Sequence, residues 1–512
     1  MSFQRKQEKD FTKEVKELTP QVEALAKAGK LSEAVDRISA LEKQTRNASD
    51  MPSTASLLTL LVRLCWEQKD LDALNTQLTL MSKKHGQLKE AVVRMVDEAM
   101  PYLDTLEREE KSMPKGGRWL ELLNTLRDIT EGKIYLELQR ARLTAQLATY
   151  HETLAQSAPK EDAKQREDRE KNEAKGDEKV KKEPVTAEDH INAAADLMSD
   201  IQIETYSSMD KREKTNFILE QMRLESLRGN WNKVRVGSRK INRVYLKDKD
   251  ATDLKLRYYD IIVHLALQED NYLEVCSAYQ AVWDTDEVKA DEARELNVIE
   301  NIIMYVVLAP YSNEQSDMLH KLYADHSLEK APLNYALLKC FVTKELMRWP
   351  GIESLYGPEL RKTPVFAPDS DLGTKTGQRA EEERKKGTKI LPPGESRWEA
   401  LHSRVVEHNI RVIAAYYSRI TLQRLTELLD LPALTTERTL CKLVTDKTVY
   451  ARIDRPAGVV NFQRPRKTNE TLNAWSTDIS KMLSLVEKTS HLVSKEYAMH
   501  EAAQAGRKKV KA

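Results

Sequence analysis

Histidine and cysteine are the residues in this sequence whose spacing could most readily form a metal or nucleophilic site. The closest histidine pairs, His320 with His326 and His402 with His408, are six positions apart. That spacing does not place both side chains on one face of a helix. The cysteines lie far apart and form no C-x-x-C pair: Cys65, Cys276, Cys340 and Cys441. We therefore expect no metal site and no disulfide framework, and free thiols favour a reducing compartment.

Motifs that bind phosphate or catalyse proteolysis are also missing. The sequence contains no G-x-x-x-x-G-K-[ST], no G-x-G-x-x-G and no H-E-x-x-H. The glycine pair at Gly116 and Gly117 is followed by arginine and tryptophan, so it lacks the lysine of a phosphate loop. We therefore predict a protein that is not an enzyme and that carries no cofactor.

Length and charge limit the remaining classes. The chain has 512 residues, enough for two or more domains, and its 82 Lys and Arg are balanced by 81 Asp and Glu. A net charge of +1 gives no overall attraction to nucleic acid or to an anionic membrane. The first residues lack an apolar signal core, and the apolar stretch from Ile302 to Pro310 is much shorter than a spanning helix. We expect a soluble intracellular protein without a membrane partner.

A short turn pattern recurs along the chain and points to helical pairs. A flexible or polar residue is followed by a polar residue and an apolar anchor at Gly29–Leu31, Lys69–Leu71, Gly132–Ile134, Gly229–Trp231 and Asp270–Tyr272. The first two anchors are 40 residues apart and the last two are 41 apart, the length of one helix-pair repeat. No proline lies between Val185 and Ala309, which permits long helices there. An irregular all-helical domain is the alternative.

Two polar stretches interrupt this regularity. Residues 159–184 carry nine acids and nine bases, so their charges cancel and a nucleic-acid-binding arm is disfavoured. Residues 361–396 contain four prolines and read as a linker or lid loop. The predicted organisation is N-terminal helical repeats 1–158, a charged disordered insertion 159–184, helical repeats 185–360 that continue into the helical part of the C-terminal module, a polar loop 361–396, a winged helix 397–465, a C-terminal bundle helix 466–500 and a basic tail 501–512.

The winged helix is predicted from the order of elements after Trp398. An amphipathic helix is followed by the short helix TLQRLTELLDL and then by a helix that Thr435 or Thr436 can cap. In TVYARI, Val449, Ala451 and Ile453 share one face of a strand, and Val459–Phe462 is a returning strand. The third helix carries a net charge of only about one positive, with no side chain suited to reading bases. Protein assembly through the exposed edge of the sheet is therefore favoured over nucleic-acid binding.

The last predicted helix has a broad apolar stripe. Its side chains recur at steps of three or four at Leu472, Trp475, Ile479, Met482 and Val486, and after an interruption at Thr489 the stripe continues at Val493; Leu483, Leu485 and Leu492 widen it. A stripe of this width is typical of a multi-helix bundle. Burial by helices of other chains is favoured, and packing of this helix back onto its own chain is the alternative.

Specific segments resemble a known family. These are KLSEAVDRISALEKQTRNASDM near the amino terminus, residues 404–431, VYARIDRPAGVVNFQRP (449–465) and LNAWSTDISKMLSLVEKTSHLVSKE (472–496). The chain resembles the PCI family, which is shared by proteasome lid, signalosome and translation-initiation subunits, and it is most similar to the proteasome lid members. The fold expected from this resemblance is all-α with a small β-hairpin: a TPR-like right-handed solenoid of helical pairs, then a winged-helix (PCI) module and a C-terminal helix.

The resemblance implies a non-catalytic scaffold of the lid that supports ubiquitin-dependent protein degradation. The implied partners are other PCI lid subunits, the lid metalloenzyme deubiquitinase and the proteasome ATPase ring in a hetero-oligomer, with no nucleic acid and no membrane. The implied location is the cytoplasm and nucleus. The alternatives are a COP9 signalosome PCI subunit and a nucleic-acid-binding winged-helix adaptor. The implied interface residues are Val449, Tyr450, Ile453, Val459, Val460 and Phe462 at the sheet edge, and Leu472, Trp475, Ile479, Met482 and Val486 in the bundle.

Overall fold

The computed structural model describes residues 9–110, 117–157, 186–206, 209–370, 372–375, 391–463 and 468–509. The predicted charged insertion 159–184 lies outside these residues. The chain forms two compact units, Met1–Val298 with Leu372–Leu391 and Ile299–Asp371 with Pro392–Ala512. The first boundary falls within the predicted segment 185–360.

The described residues of the first unit form α-helices, with short 3₁₀ helices at Ile134–Leu136, Ile203–Thr205, Tyr245–Lys247 and Lys249–Ala251. Helix α14 begins in this unit and ends in the second. In chain order the helices are α1 (Thr12–Lys27), α2 (Leu31–Asn47), α3 (Met51–Glu67), α4 (Leu71–Lys83), α5 (Lys89–Glu110), α6 (Arg118–Thr130), α7 (Glu137–Ser157), α8 (Ala187–Ser199), α9 (Lys211–Arg228), α10 (Trp231–Lys240), α11 (Thr252–Gln268), α12 (Tyr272–Trp283), α13 (Asp286–Ala290) and α14 (Glu292–Leu308).

The recurring turn pattern has a single backbone explanation. Its first residue has a positive φ in all five places: Gly29, Lys69, Gly132, Gly229 and Asp270. A left-handed residue ends the preceding helix, and the anchor residue two positions later begins the next one. The intervening polar residue caps the new helix in two cases, because Asp70 accepts from the Ala73 N–H and Asn271 accepts from the Glu274 N–H. The same turn also occurs at Ser49–Met51, where the sequence pattern did not identify it.

Packing between helices that follow one another in sequence produces the core of this unit. Helix α2 contacts α3, α9 contacts α10, and α11 contacts α12. Helix α3 is buried on most of its surface, and Leu57, Leu58 and Leu61 on it are almost completely inaccessible to solvent. Each such side chain contributes about 1.5–3 kcal/mol on burial, so the apolar faces of successive helices hold the repeats together.

The second unit contains the end of α14, a 3₁₀ helix at His326–Lys330, and a winged-helix module followed by one long helix. The elements of the second unit are α15 (Asn313–Tyr323), α16 (Pro332–Val342), α17 (Trp349–Leu360), α18 (Pro393–Tyr416), β1 (Arg419–Thr421), α19 (Leu422–Leu429), α20 (Ala433–Thr445), β2 (Arg452–Asp454), β3 (Val459–Asn461) and α21 (Thr468–Lys509). In neither unit does a described helix combine the length and the hydrophobicity that a membrane span requires.

Helix α18 is fixed by buried contacts that include part of the predicted loop 361–396. The side chain of Asn409 accepts from the Met347 N–H at 2.9 Å and donates to the Met347 carbonyl at 2.6 Å. Phe366, which is buried, packs edge to face against Trp398 with ring centroids 5.7 Å apart. The described part of the loop thus contributes to the core, and α18 begins at Pro393, before the predicted boundary at 397.

Burial of His408 on α18 predicts a loss of stability in acid. Burial of the imidazole, and to a smaller extent the positive charge of the nearby Arg411, lower the pKa of His408 from 6.5 to about 4. The unfolded chain therefore binds a proton near pH 6.5 whereas the folded chain does not, so stability present above pH 6.5 is lost as the pH falls towards 4. The loss amounts to about 2–3 kcal/mol.

Urea unfolding of the full chain between pH 7 and pH 4.5 measures this effect. His408→Gln is expected to reduce the decline because the amide does not titrate in this range. The amide can still donate to the Glu345 carbonyl that faces His408 Nε2 at 3.3 Å, so the packing contact is kept. His491→Gln on the exposed C-terminal helix removes a histidine without altering a packed region and is the control. If the free energy of unfolding fell equally with pH in the wild type and in His408→Gln, protonation of His408 would not be the cause of the acid loss.

The winged-helix module differs from its prediction in three details. Its sheet has three strands in the order β1-β3-β2, and β1 was not predicted. Strand β2 covers only Arg452–Asp454, although Val449 is buried and Ile453 half-buried as the predicted face requires. Helix α20 begins at Ala433, so the predicted caps Thr435 and Thr436 lie inside the helix, where both hydroxyls donate to the Pro432 carbonyl. The predicted fold class, all-α with a small β-hairpin, is confirmed, and the hairpin β2–β3 is part of a three-stranded antiparallel sheet.

Candidate protein-interaction surfaces

Helix α21 is an exposed element of 42 residues. At about 1.5 Å per residue it is roughly 63 Å long. Every side chain described on it, from Thr468 to Ala505, is exposed. Tertiary packing is the main source of stability for most protein helices, so a helix of this length without a packed face lacks its usual support.

The exposed surface of α21 includes the complete apolar stripe. Trp475 is 65% exposed and Met482 is 68% exposed, values that are unusual for such large apolar side chains. At 100° per residue the five predicted bundle residues lie on one face, together with Val493 and Tyr497. The predicted members are Leu472, Trp475, Ile479, Met482 and Val486, all of them exposed. Tyr497 was missed, although its spacing of four from Val493 was a usable signal.

The described structure does not bring this stripe against its own chain. Burying about ten such side chains would release roughly 15–30 kcal/mol of transfer free energy. An exposed apolar surface of this extent is typical of a protein-binding site. The arrangement therefore favours burial of the stripe by helices of other chains over packing of α21 onto its own chain.

The small sheet provides a second candidate surface, formed by the main-chain groups along its two outer edges. Strand β3 is central and bonds to β1 and β2, so the outer edges of both flanking strands have no neighbouring strand among the described residues. An unpaired edge can add a strand from another chain. The edges available here are Arg419–Thr421 and Arg452–Asp454.

The predicted edge residues are therefore distributed differently from the expectation. Ile453 lies on the free edge strand β2, and Tyr450 is exposed just before it. Val459 and Val460 lie on the central strand, which has no free edge. The side chains of Val449, Val460 and Phe462 belong to the module's own core. The prediction treated the hairpin as the whole sheet, and the unrecognised β1 takes the edge position assigned to β3.

Two of the cations near α20, the helix equivalent to a DNA-reading helix, are paired within the module. Arg455 pairs with Glu437 at 2.7 Å, and Lys442 lies 3.5 Å from the buried carboxylate of Glu407. Nucleic-acid binding at physiological salt needs several phosphate contacts. These pairings reduce the number of cations on this face that can make such contacts.

Side chains that could perform chemistry are dispersed or inert in the described structure. Among the described residues, no group of three or more His, Cys, Asp or Glu side chains is arranged to hold a metal ion. Burial raises the pKa of Cys65 to about 11 and that of Cys276 to about 12. Both thiols stay protonated at neutral pH, and a thiol is a much weaker nucleophile than a thiolate.

Comparison with protein families gives three successive matches along the chain. Residues 33–291 match the PSMD12/CSN4 N-terminal family, residues 360–464 match the PCI domain, and residues 469–501 match the C-terminal domain of the 26S proteasome regulatory subunit RPN5. The last match covers most of α21, so the exposed helix is itself a family feature.

Curated proteins give the same result over the full length. The chain is 38% identical to the 26S proteasome regulatory subunit RPN5 of Saccharomyces cerevisiae over 97% of both chains. It is 35% identical to the 26S proteasome non-ATPase regulatory subunit 12 of Dictyostelium discoideum, over 93% of this chain and 92% of that protein. Subunit 4 of the COP9 signalosome complex of Drosophila melanogaster is 21% identical over 49% of this chain.

Proposed function

Because the chain belongs to the family of 26S proteasome regulatory subunits named RPN5 or non-ATPase subunit 12, we propose that it is a non-catalytic scaffold of the regulatory-particle lid. It assembles with other subunits through α21 and the edges of its winged-helix sheet. In this role it supports ubiquitin-dependent protein degradation without performing a chemical step itself.

The exposed apolar stripe of α21 is the observation that carries this proposal. It presents large side chains at helical spacing on a helix with no covered face. The helix therefore needs partner helices in a bundle, and the PCI subunits of the lid are the proposed partners. Strands β1 and β2 supply the second contact, in which a neighbouring sheet continues this one. The lid deubiquitinase and the ATPase ring complete the proposed set of partners.

The alternatives have weaker support. The signalosome relative matches about half of the chain at 21% identity, whereas the proteasome relative from Saccharomyces cerevisiae matches 97% at 38%. A nucleic-acid adaptor would need a basic reading helix, and Lys442 on α20 and Arg455 beside it are each paired with a glutamate. The proposed location is the cytoplasm and nucleus, which the free cysteines support, since they favour a reducing compartment.

Affinity purification of the tagged full chain followed by mass spectrometry tests the proposal. We expect lid subunits and proteasomal ATPases in near-stoichiometric amounts. Recovery of signalosome subunits in place of ATPases would instead support the first alternative. Recovery of nucleic acid without either set of subunits would support the adaptor.

A further inference from the structure

The outer face of the winged-helix sheet carries a row of three polar residues. Arg419 is paired with Asn461, and Asn461 with Arg452, across β1, β3 and β2. Residues directly opposite each other in an antiparallel sheet share a face. The next row, Ile420, Val460 and Ile453, faces the core, so the arginine row faces outward. Both arginines are exposed, and the three outer residues line a depression of about 890 Å³.

This row presents hydrogen-bond donors. The Asn461 side-chain oxygen already accepts from the Gln463 N–H at 3.0 Å, which leaves the amide NH₂ to donate. A guanidinium group contains only donors. Neither Arg419 nor Arg452 forms a salt bridge within the described residues, whereas the neighbouring Arg455 is paired with Glu437. The row therefore has the chemistry of an anion site.

The second outward row limits what kind of anion fits. It consists of Thr421, Val459 and Asp454. One carboxylate oxygen of Asp454 accepts from the Ala457 N–H at 3.3 Å, but the group still places a negative charge on the same face. A chain of phosphates crossing both rows would lie against this charge, whereas a single carboxylate above the first row stays one row away from it and meets a weaker repulsion.

We propose that Arg419, Asn461 and Arg452 form a carboxylate-binding site that docks an acidic segment of a partner polypeptide. Adjacent strands are about 4.8 Å apart, so the two arginine Cα atoms are separated by roughly 9.6 Å with Asn461 between them. Both guanidinium groups can therefore converge on one carboxylate above Asn461. Their planar forks match a carboxylate in a bidentate manner.

A labelled peptide tests this site in the full-length chain. The probe is a short fluorescein-labelled peptide of alternating glutamate and serine, and binding is measured by fluorescence anisotropy. The double variant Arg419→Gln with Arg452→Gln is expected to bind at least about tenfold more weakly, because two charged hydrogen-bonding groups are lost. Arg424→Gln with Arg438→Gln removes the same charge from exposed positions on α19 and α20 and is expected to leave binding unchanged. Equal losses in the two double variants would overturn the site.

Two further variants separate geometry from charge. Arg419→Lys with Arg452→Lys keeps the charge but loses the planar fork, so we expect weaker binding than in the wild type. Wild-type affinity in this variant would contradict a bidentate site.

Asp454→Asn keeps the acceptor for the Ala457 N–H and removes the like charge, so the peptide should bind about two- to fivefold more tightly. Unchanged or weaker binding would contradict the proposed position of the carboxylate.

The test also distinguishes this site from other ligands and from the assembly proposal. A labelled oligonucleotide that bound more tightly than the peptide, and in an arginine-dependent manner, would overturn the carboxylate assignment in favour of nucleic acid. A chain truncated before Leu472 should still bind the peptide while failing to assemble, since the row does not involve α21. Loss of peptide binding on truncation would contradict the independence of the site.

Discussion

A chain carrying Trp475→Glu, Ile479→Glu and Met482→Glu is expected to fold with the stability of the wild type and yet fail to enter the lid. The three side chains are exposed, so their replacement removes no intramolecular packing. In a partner bundle the same side chains would be buried at about 1.5–3 kcal/mol each. Losing three of them, and burying carboxylates in their place, lowers the affinity by roughly a thousandfold or more.

Native gels of cell extracts and urea unfolding of the purified chain measure the two halves of this expectation. The matched control places glutamate at Asn473, Thr477 and Ser484, which lie on the opposite side of the helix from the stripe. This control adds the same charge and should assemble normally. Normal incorporation of the stripe variant would show that α21 is not a bundle helix.

Val460→Asp is expected to unfold the winged-helix module. Val460 is completely buried at the centre of β3, between Ile420 on β1 and Ile453 on β2. A carboxylate in that position would have no cation or hydrogen-bond donor to pair with in the apolar core. The destabilisation should exceed about 4 kcal/mol, which is comparable with the roughly 3–5 kcal/mol that the core of so small a module supplies.

Limited proteolysis of the full chain, with fragments identified by mass spectrometry, is the appropriate measurement. We expect new cleavage sites within residues 393–463. Thr421→Asp is the control, because this residue is exposed at the end of β1 and an aspartate there can replace the hydroxyl that caps α19. A digestion pattern for Val460→Asp that matches the wild type would contradict the role given to the sheet.

The helical repeats could be predicted from the sequence because their turns are local. A left-handed residue followed by a capping residue and an apolar anchor is visible in three consecutive positions, as at Lys69, Asp70 and Leu71. The exposed stripe of α21 was equally visible, since helical periodicity depends on near neighbours. The pattern could not show that none of the described residues covers the stripe, because that depends on the folded structure.

The sheet was harder to predict because its pairing is non-local. Strand β1 has three residues, too few for an alternating pattern to stand out, and it pairs with β3, forty positions away in sequence. The resemblance assigned Val459, Val460 and Phe462 to an interface edge, whereas the structure places both valines on the central strand and the Phe462 side chain in the core. The arginine row was missed because it exists only when three strands are in register.

Hydrogen–deuterium exchange along residues 468–505 tests most directly whether α21 is a surface that other chains cover. It should be measured on the purified chain and on the chain within affinity-purified complexes. We expect rapid exchange in the isolated chain and exchange at least about a hundredfold slower in the complex, because partner helices suppress local opening. Equal exchange in the two samples would contradict the account, whether both were fast because nothing covers the helix or both slow because the chain covers it itself.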